Sequence, residues 1–253
     1  AVLSKTFNLK VIVPCYNPPA DWEPSLVEKF IRFRESVADL VTEVGLVVVN
    51  DGSTSGQTTE TNFNRLKQLL PGVTVISYQE NRGKGYALRQ GVVAVKADGY
   101  LVTDADFPYD LPSMRRVVET LVQKGGIAAG NRHEEYYDKV PTFRRQLSKT
   151  FRWFLRNVFR QPITDSQCGL KAFDEAGKAV FMQTTIDRFL FDLEFLMLAS
   201  KQTTVHPVPV ELREGVVFSQ MGLKILSTEG GNFLNLISRA WLRPGSLKPK
   251  NNP

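Results

Sequence analysis

The 253-residue sequence is poor in the residues that carry much of protein chemistry. It holds two cysteines, Cys15 and Cys168, far apart and without metal-ligand spacing. That excludes a disulfide-built scaffold and a cysteine-rich zinc fold, makes a disulfide unnecessary, and favours a reducing, cytoplasmic compartment. It holds two histidines, His133 and His206, neither spaced for a metal nor set beside a nucleophile, so a histidine-driven reaction is not expected. No stretch reaches the roughly 18 apolar residues that a membrane-spanning helix needs. The best one, 189–199, is interrupted by Asp192 and Glu194. The opening AVLSKTFNLKVIVP lacks the apolar core and cleavage pattern of a signal peptide. The expectation is a chain that does not cross a bilayer, although it can lie on one. Neither a Walker loop nor G-x-G-x-x-G occurs, and positions 14–22 contain no glycine, which argues against a nucleotidyltransferase with a glycine-rich pyrophosphate loop. No recognised nucleic-acid reading module is present, so nucleic acid is not an expected partner.

What is present is ordinary for a globular α/β protein: 42% hydrophobic and 23% charged residues, enough chain for one large domain or two small ones. The net charge of +6 suits an anionic substrate or an acidic lipid surface. Along the first half, apolar runs at 10–14, 45–50, 73–78, 99–103 and 127–130 read as strands. Helical spacings fall between them at 25–40, 62–70, 85–95 and from 111 to a Gly125-Gly126 stop. Strands alternating with helices predict a mainly parallel, Rossmann-like sheet with ligands at the carboxyl ends of its strands. After residue 132 the rhythm changes. A basic amphipathic helix is expected at 141–161, a loop entering a strand at 164–173, an apolar helix at 188–201, a strand at 203–210, and one or two helices at 222–243. The expected organisation is a nucleotide-binding half, 1–132, and an acceptor half, 133–253, within one continuous domain.

Four turns at strand ends carry the chemistry. In Val13-Pro14-Cys15-Tyr16-Asn17-Pro18 the prolines fix the loop and Tyr16 offers a stacking face, unless this is an ordinary turn. In Asn50-Asp51-Gly52-Ser53-Thr54-Ser55, Asp51 reads either as an acceptor for a nucleobase N–H or as the anchor of an Asx-turn. In Glu80-Asn81-Arg82-Gly83-Lys84-Gly85, Arg82 and Lys84 sit among glycines at a helix N-terminus, a combination that suits a diphosphate. The fourth is Thr103-Asp104-Ala105-Asp106-Phe107-Pro108-Tyr109-Asp110. Two carboxylates one residue apart on an extended segment face the same way and repel each other unless a cation intervenes. Mg²⁺ or Mn²⁺, held through one or two carboxylates together with substrate phosphates, fits that chemistry. The competing reading is a helix cap and a turn.

In their order and spacing, VPCYNP, VNDGSTS, ENRGKGYALRQG and VTDADFPYD resemble family 2 of the inverting glycosyltransferases, which have the GT-A fold. In the second half, RRQLS (144–148), TDSQCGLKAF (164–173) and FDLEF (191–195) resemble the dolichyl-phosphate mannose and glucose synthase group, which moves one sugar onto a polyprenyl phosphate. The resemblance implies a nucleotide-sugar site, for a UDP- or GDP-linked donor, at Pro14, Tyr16, Asn17, Asp51, Ser53, Arg82, Lys84, Asp104, Ala105 and Asp106. Asp104 and Asp106 would be its metal ligands. It implies an acceptor-phosphate region at Arg132, Arg144, Ser148 and, more weakly, Arg213, with Asp165 beside the donor. One departure stands out: mannose synthases carry a glutamine two residues past the second aspartate, where this chain has Pro108. The metal shell would then be completed by water or by Asp110.

The 141–161 stretch adds a physical clue. Phe143, Leu147, Phe151, Phe154, Leu155 and Val158 form one stripe, and Arg145, Lys149, Arg152, Arg156 and Arg160 another. Such a helix suits an anionic membrane surface and peripheral attachment there, or simply packs as a soluble amphipathic helix. For a lipid phosphate acceptor no strong base is required. For a glycan or protein hydroxyl one is required, and Asp165, Asp192 or Glu194 would supply it.

Overall fold

The computed structural model describes residues 6–132, 165, 168–188 and 190–215. The expected helices at 141–161 and 222–243, and with them Arg144 and Ser148, lie outside the described residues.

The predicted alternation is present: β1 (Asn8–Cys15), α1 (Trp22–Ser36), β2 (Glu43–Asp51), α2 (Glu60–Leu69), β3 (Thr74–Tyr78), α3 (Lys84–Val93), β4 (Gly99–Val102), α4 (Leu111–Lys124) and β5 (Ile127–Arg132). β6 (Lys171–Phe173), α5 (Glu175–Phe181), α6 (Phe191–Gln202) and β7 (Val205–Val210) follow. Local chemistry sets the helix starts. Thr59 and Asn62 form a reciprocal capping box on α2, and the Asp110 and Asp174 carboxylates accept from the Ser113 and Gly177 amides to cap α4 and α5. Helix α1 ends at Ser36, short of the predicted 40. The apolar spacing continues because Val37 and Val41 still pack, but the backbone there has left the α conformation. The short helix α5 was not predicted, since seven residues offer too little periodicity to recognise.

Among the described residues the strands form one sheet in the order β3-β2-β1-β4-β6-β5-β7. All pairings are parallel except those of β6, which is antiparallel to both β4 and β5. Alternate strand residues feed two cores. Val11, Val13, Val48 and Leu101 face α1, α2 and α4. Ile12, Val47, Val49, Tyr100 and Val102 face α3, α5 and α6. The sheet is thus buried on both sides, which explains why its central strands read as unbroken apolar runs. Pro207 and Pro209 are tolerated because β7 pairs on one side only, with β5.

The β6 insertion matters most for the site. It pairs Lys171 with Val102 and so lays residues 168–170 beside the end of β4, where the aspartates begin.

Candidate active site

The carboxyl ends of β1, β2, β3 and β4 converge, and the loops that leave them are tied to one another. The Asn17 side chain (φ 46°) accepts from the Thr54 and Ser55 amides at 2.8 and 3.0 Å, and its own amide donates to Ser53 Oγ at 2.9 Å. Pro14 lies within β1 beside Val49, and Tyr16 stands just past the strand with 53% of its surface exposed.

Asp51 is built in. Its carboxylate accepts from the Tyr78 hydroxyl (2.8 Å), the Asn81 side-chain amide (2.9 Å) and the backbone amides of Arg82 (2.8 Å) and Gly83 (2.9 Å). A carboxylate has about four acceptor positions, and all four are used. Gly52 (φ 63°) completes the junction, since a Cβ there would overlap the backbone of Glu80 and Asn81. A glycine is thus required here by the close approach of another loop. The base-reading role expected of Asp51 finds its carboxylate already committed to holding 81–83.

The start of α3 is likewise occupied. The Gly85 and Tyr86 amides donate to the Asp187 carbonyl at 2.8 and 3.2 Å. With these two amides satisfied by the chain, the side chains of Arg82 and Lys84 are the groups this turn can offer a diphosphate. The Arg82 guanidinium lies 4.1 Å from the Tyr86 ring centroid and 3.7 Å from Asp187. Glu194 holds the 185–187 loop by accepting from the Thr185 amide and hydroxyl and the Ile186 amide (2.8, 2.9 and 2.8 Å), and Arg89 pairs with Asp187.

Past the end of β4, Asp104 is half-buried and Asp106 exposed. Lys84 Nζ donates to Asp104 Oδ1 at 2.5 Å. The surrounding protein, and then the charge of Asp104, push the Asp106 carboxyl above its ordinary pKa, although the residue is exposed. Arg213 steadies the segment, with Nε donating to the Phe107 carbonyl (3.1 Å) and Nη2 to that of Asp106 (3.4 Å). Phe107 takes a positive φ of 49°, and the Arg213 amide donates to the Pro108 carbonyl at 3.0 Å. Asp110 caps α4 and so does not turn back to the pair. Among the described residues no group of three acidic, histidine or cysteine side chains surrounds one point. Two mutually repelling carboxylates, one half-buried and one exposed, fit a hard cation whose remaining ligands are phosphate and water.

Behind the pair lies a cluster that the sequence did not reveal. Lys171, fully buried, donates from Nζ to Asp192 Oδ1 (2.6 Å) and to the Cys168 carbonyl (2.5 Å). Burial pushes the Asp192 carboxyl up, against the pull of Lys171 and then Lys84. Arg132 and Asp165 form a buried bidentate pair (2.6 and 2.8 Å), joined by the Arg132 amide at 3.1 Å. Burial alone would raise the Asp165 pKa, but the Arg132 bonds outweigh it and the carboxyl lies below its ordinary value. The Tyr109 hydroxyl accepts from the Gly169 amide at 2.9 Å, setting Gly169 over Asp104 and Lys84. A lysine in the otherwise apolar GLKAF was the one available signal.

Comparison with known proteins now decides the family. The family model described as glycosyl transferase family 2 matches residues 10–190. The chain belongs to that family. Curated relatives of this family 2 chain include dolichyl-phosphate β-glucosyltransferases from Dictyostelium discoideum (29% identical, covering 76% of this chain and 62% of the relative) and Homo sapiens (29%, 78% and 64%). Another is that of Saccharomyces cerevisiae (26%, 92% and 75%). The chain thus spans somewhat under two thirds of the first two relatives. Solved structures with the same fold include mannosyl-3-phosphoglycerate synthase from Rubrobacter xylanophilus (TM-score 0.60, 15% identity, 98% of this chain and 78% of that one). Glucosyl-3-phosphoglycerate synthase from Mycobacterium tuberculosis, solved with Mn²⁺, UDP-glucose and phosphoglyceric acid, is a second (0.56, 16%, 92% and 79%). A third is a Pyrobaculum calidifontis mannosyltransferase with GDP-mannose and Mn²⁺ (0.53, 19%, 81% and 56%). The expected GT-A architecture is the observed one.

Proposed function

We propose that this chain transfers one sugar from a nucleoside-diphosphate donor to a polyprenyl phosphate of the dolichyl type, with inversion at the anomeric carbon and with a divalent metal. The names of the relatives support glucose as the sugar and a lipid phosphate as the acceptor. The Mn²⁺ and UDP-glucose held by one fold neighbour support the donor and the cation, Mn²⁺ or Mg²⁺. Asp104 and Asp106 would hold the metal, which would supply positive charge to the leaving diphosphate. Lys84, paired with Asp104, and Arg82, two residues before it, would add to that stabilisation, while the exposed Tyr16 would offer its face to the base.

One observation carries the choice of acceptor. The three carboxylates that could have served a hydroxyl acceptor as base are each committed: Asp165 to Arg132, Asp192 to Lys171, and Glu194 to the 185–186 backbone. A phosphate monoester, with a second pKa of about 6, is already anionic at neutral pH and needs no base. In this reading the half beyond residue 132 receives the acceptor, with Arg144, Ser148 and the basic 141–161 stretch meeting an anionic membrane surface. In the same reading this part of the chain meets the lipid peripherally, on a cytoplasmic face; no helix among the described residues is long and apolar enough to cross a membrane.

The test is a thermal-shift series with UDP- and GDP-sugars, with and without Mn²⁺, on the wild type and on Asp104→Asn. A bound ligand raises apparent stability by mass action. The expected result is a Mn²⁺-dependent shift with one of these donors that Asp104→Asn abolishes. An equal shift in the variant would remove the metal role of Asp104, and no shift with any donor would remove the donor site.

A further inference from the structure

Lys84 is paired with Asp104, one of the two carboxylates proposed to hold the metal. Its ammonium is 2.5 Å from Asp104 Oδ1 and, at 18% side-chain exposure, is largely withdrawn from water. The position of a Cβ on Gly169 lies 3.1 Å from Lys84 Nζ and 3.0 Å from Asp104 Oδ2, so the backbone of Gly169 packs directly against the pair on one side. A second anion stands behind it. The start of α3 is pressed on the start of α6 so closely that a Cβ on Gly85 would lie 2.7 Å from Phe191 Cβ. This contact brings Lys84 and Asp192, the residues next to those two, to the same junction. Burial would lower the Lys84 pKa, but the charges of Asp104 and then Asp192 raise it, which keeps the ammonium charged. Asp192 in turn is fixed by the fully buried Lys171. The result is a row of alternating charge: Asp104, Lys84, Asp192, Lys171.

We propose that Lys84 is the internal counter-ion of Asp104 in the unloaded enzyme and passes to Asp192 when a divalent cation takes Asp104. Asp192 is then a positioning residue, and Lys171 keeps it in place. The inference rests on the metal reading of Asp104 and Asp106. It adds that cation loading is an exchange, in which the displaced ammonium stays paired inside the protein. An ammonium stranded in a half-buried site would cost far more than one handed to a waiting carboxylate.

Mn²⁺ binding to the full chain without nucleotide, followed by the electron paramagnetic resonance signal of the free ion, tests this independently of turnover. Lys84→Met removes the competitor, and Mn²⁺ affinity should rise roughly fivefold, the scale of one partly exposed ion pair. Lys171→Met with Asp192→Asn removes the second seat while leaving the net charge unchanged. Neutralising both partners avoids stranding one charge in the core. That double variant should bind Mn²⁺ severalfold more weakly than the wild type. In the Lys84→Met background the same two substitutions should have no effect, because there is no ammonium left to receive. Equal weakening in both backgrounds, or unchanged affinity on Lys84→Met, overturns the exchange while leaving the metal site standing. Absence of Mn²⁺ binding in every protein, with UDP added as well, overturns the metal reading and the exchange together. Should the double variant fail to fold, as judged by circular dichroism, Asp192→Glu replaces it. The longer acid keeps the charge and brings it nearer Lys84, so Mn²⁺ affinity should be equal or higher; a fall would overturn the proposal.

Discussion

Replacing Asp51 by asparagine separates two roles for the most heavily bonded carboxylate at the strand ends. The side chain is buried, at 3% exposure, and accepts four hydrogen bonds from Tyr78, Asn81, Arg82 and Gly83. An amide of the same shape keeps one oxygen and turns an NH₂ toward the remaining donors. About two bonds to a charged acceptor are lost, each worth roughly 1.5–3 kcal/mol, so a cost of about 3–6 kcal/mol is expected. For a chain of this size that corresponds to a fall in melting temperature of roughly 6–24 °C. Urea unfolding followed by circular dichroism in the absence of any ligand measures it directly. Nucleotide binding should weaken as well, because residues 81–83 lead into Lys84. Unchanged stability with a selective loss of nucleotide binding would refute the reasoning and return Asp51 to a base-reading role.

Three further outcomes follow from the same geometry. Gly169→Ala places a methyl 3.0 Å from Asp104 Oδ2 and 3.1 Å from Lys84 Nζ, so turnover should fall about tenfold or more through misplacement of the pair, while urea stability changes by less than about 1 kcal/mol. Asp165 has a depressed folded pKa, so its contribution to stability is fully present above the unfolded value of about 3.9 and is lost as pH falls through the folded value. Asp165→Asn should therefore be less stable at pH 7, by roughly 3 kcal/mol, and show a flatter acid limb below pH ~4 in pH-dependent unfolding. Both thiols are buried, and burial followed by the charge of Glu23 pushes Cys15 up to about 12, so neither should react with a disulfide reagent at about pH 8 until urea unfolds the chain.

The layered sheet was legible because its central strands are buried on both faces and its helices keep their apolar spacing. What could not be read is the direction in which β6 enters. Three residues, Lys171, Ala172 and Phe173, slot antiparallel between β4 and β5, and nothing local in KAF specifies that. With that insertion come Gly169 over Asp104 and Lys171 beneath it. Asp104 and Asp106 were legible as a pair because both the spacing and the strand end are local. At Asp51 and the start of α3 the residues were legible but their intrachain hydrogen bonds were not: Asp51 binds Tyr78 and residues 81–83, and the Gly85 and Tyr86 amides bind the Asp187 carbonyl, all from distant parts of the chain. Asp165 and Arg132 illustrate the same limit. Each reads as a candidate for substrate, and 33 positions apart they satisfy one another.

The central claim is that the acceptor is a phosphate and that Asp104 and Asp106 serve the donor through a metal. It is tested most directly by incubating the enzyme with labelled UDP-glucose, Mn²⁺ and equal amounts of a polyprenyl phosphate and the corresponding polyprenol. We expect label to enter only the phosphate lipid, with the inverted anomer in the product, and to vanish with chelator or in Asp106→Asn. Label in the polyprenol, or undiminished transfer to the phosphate lipid in the presence of chelator, would contradict it.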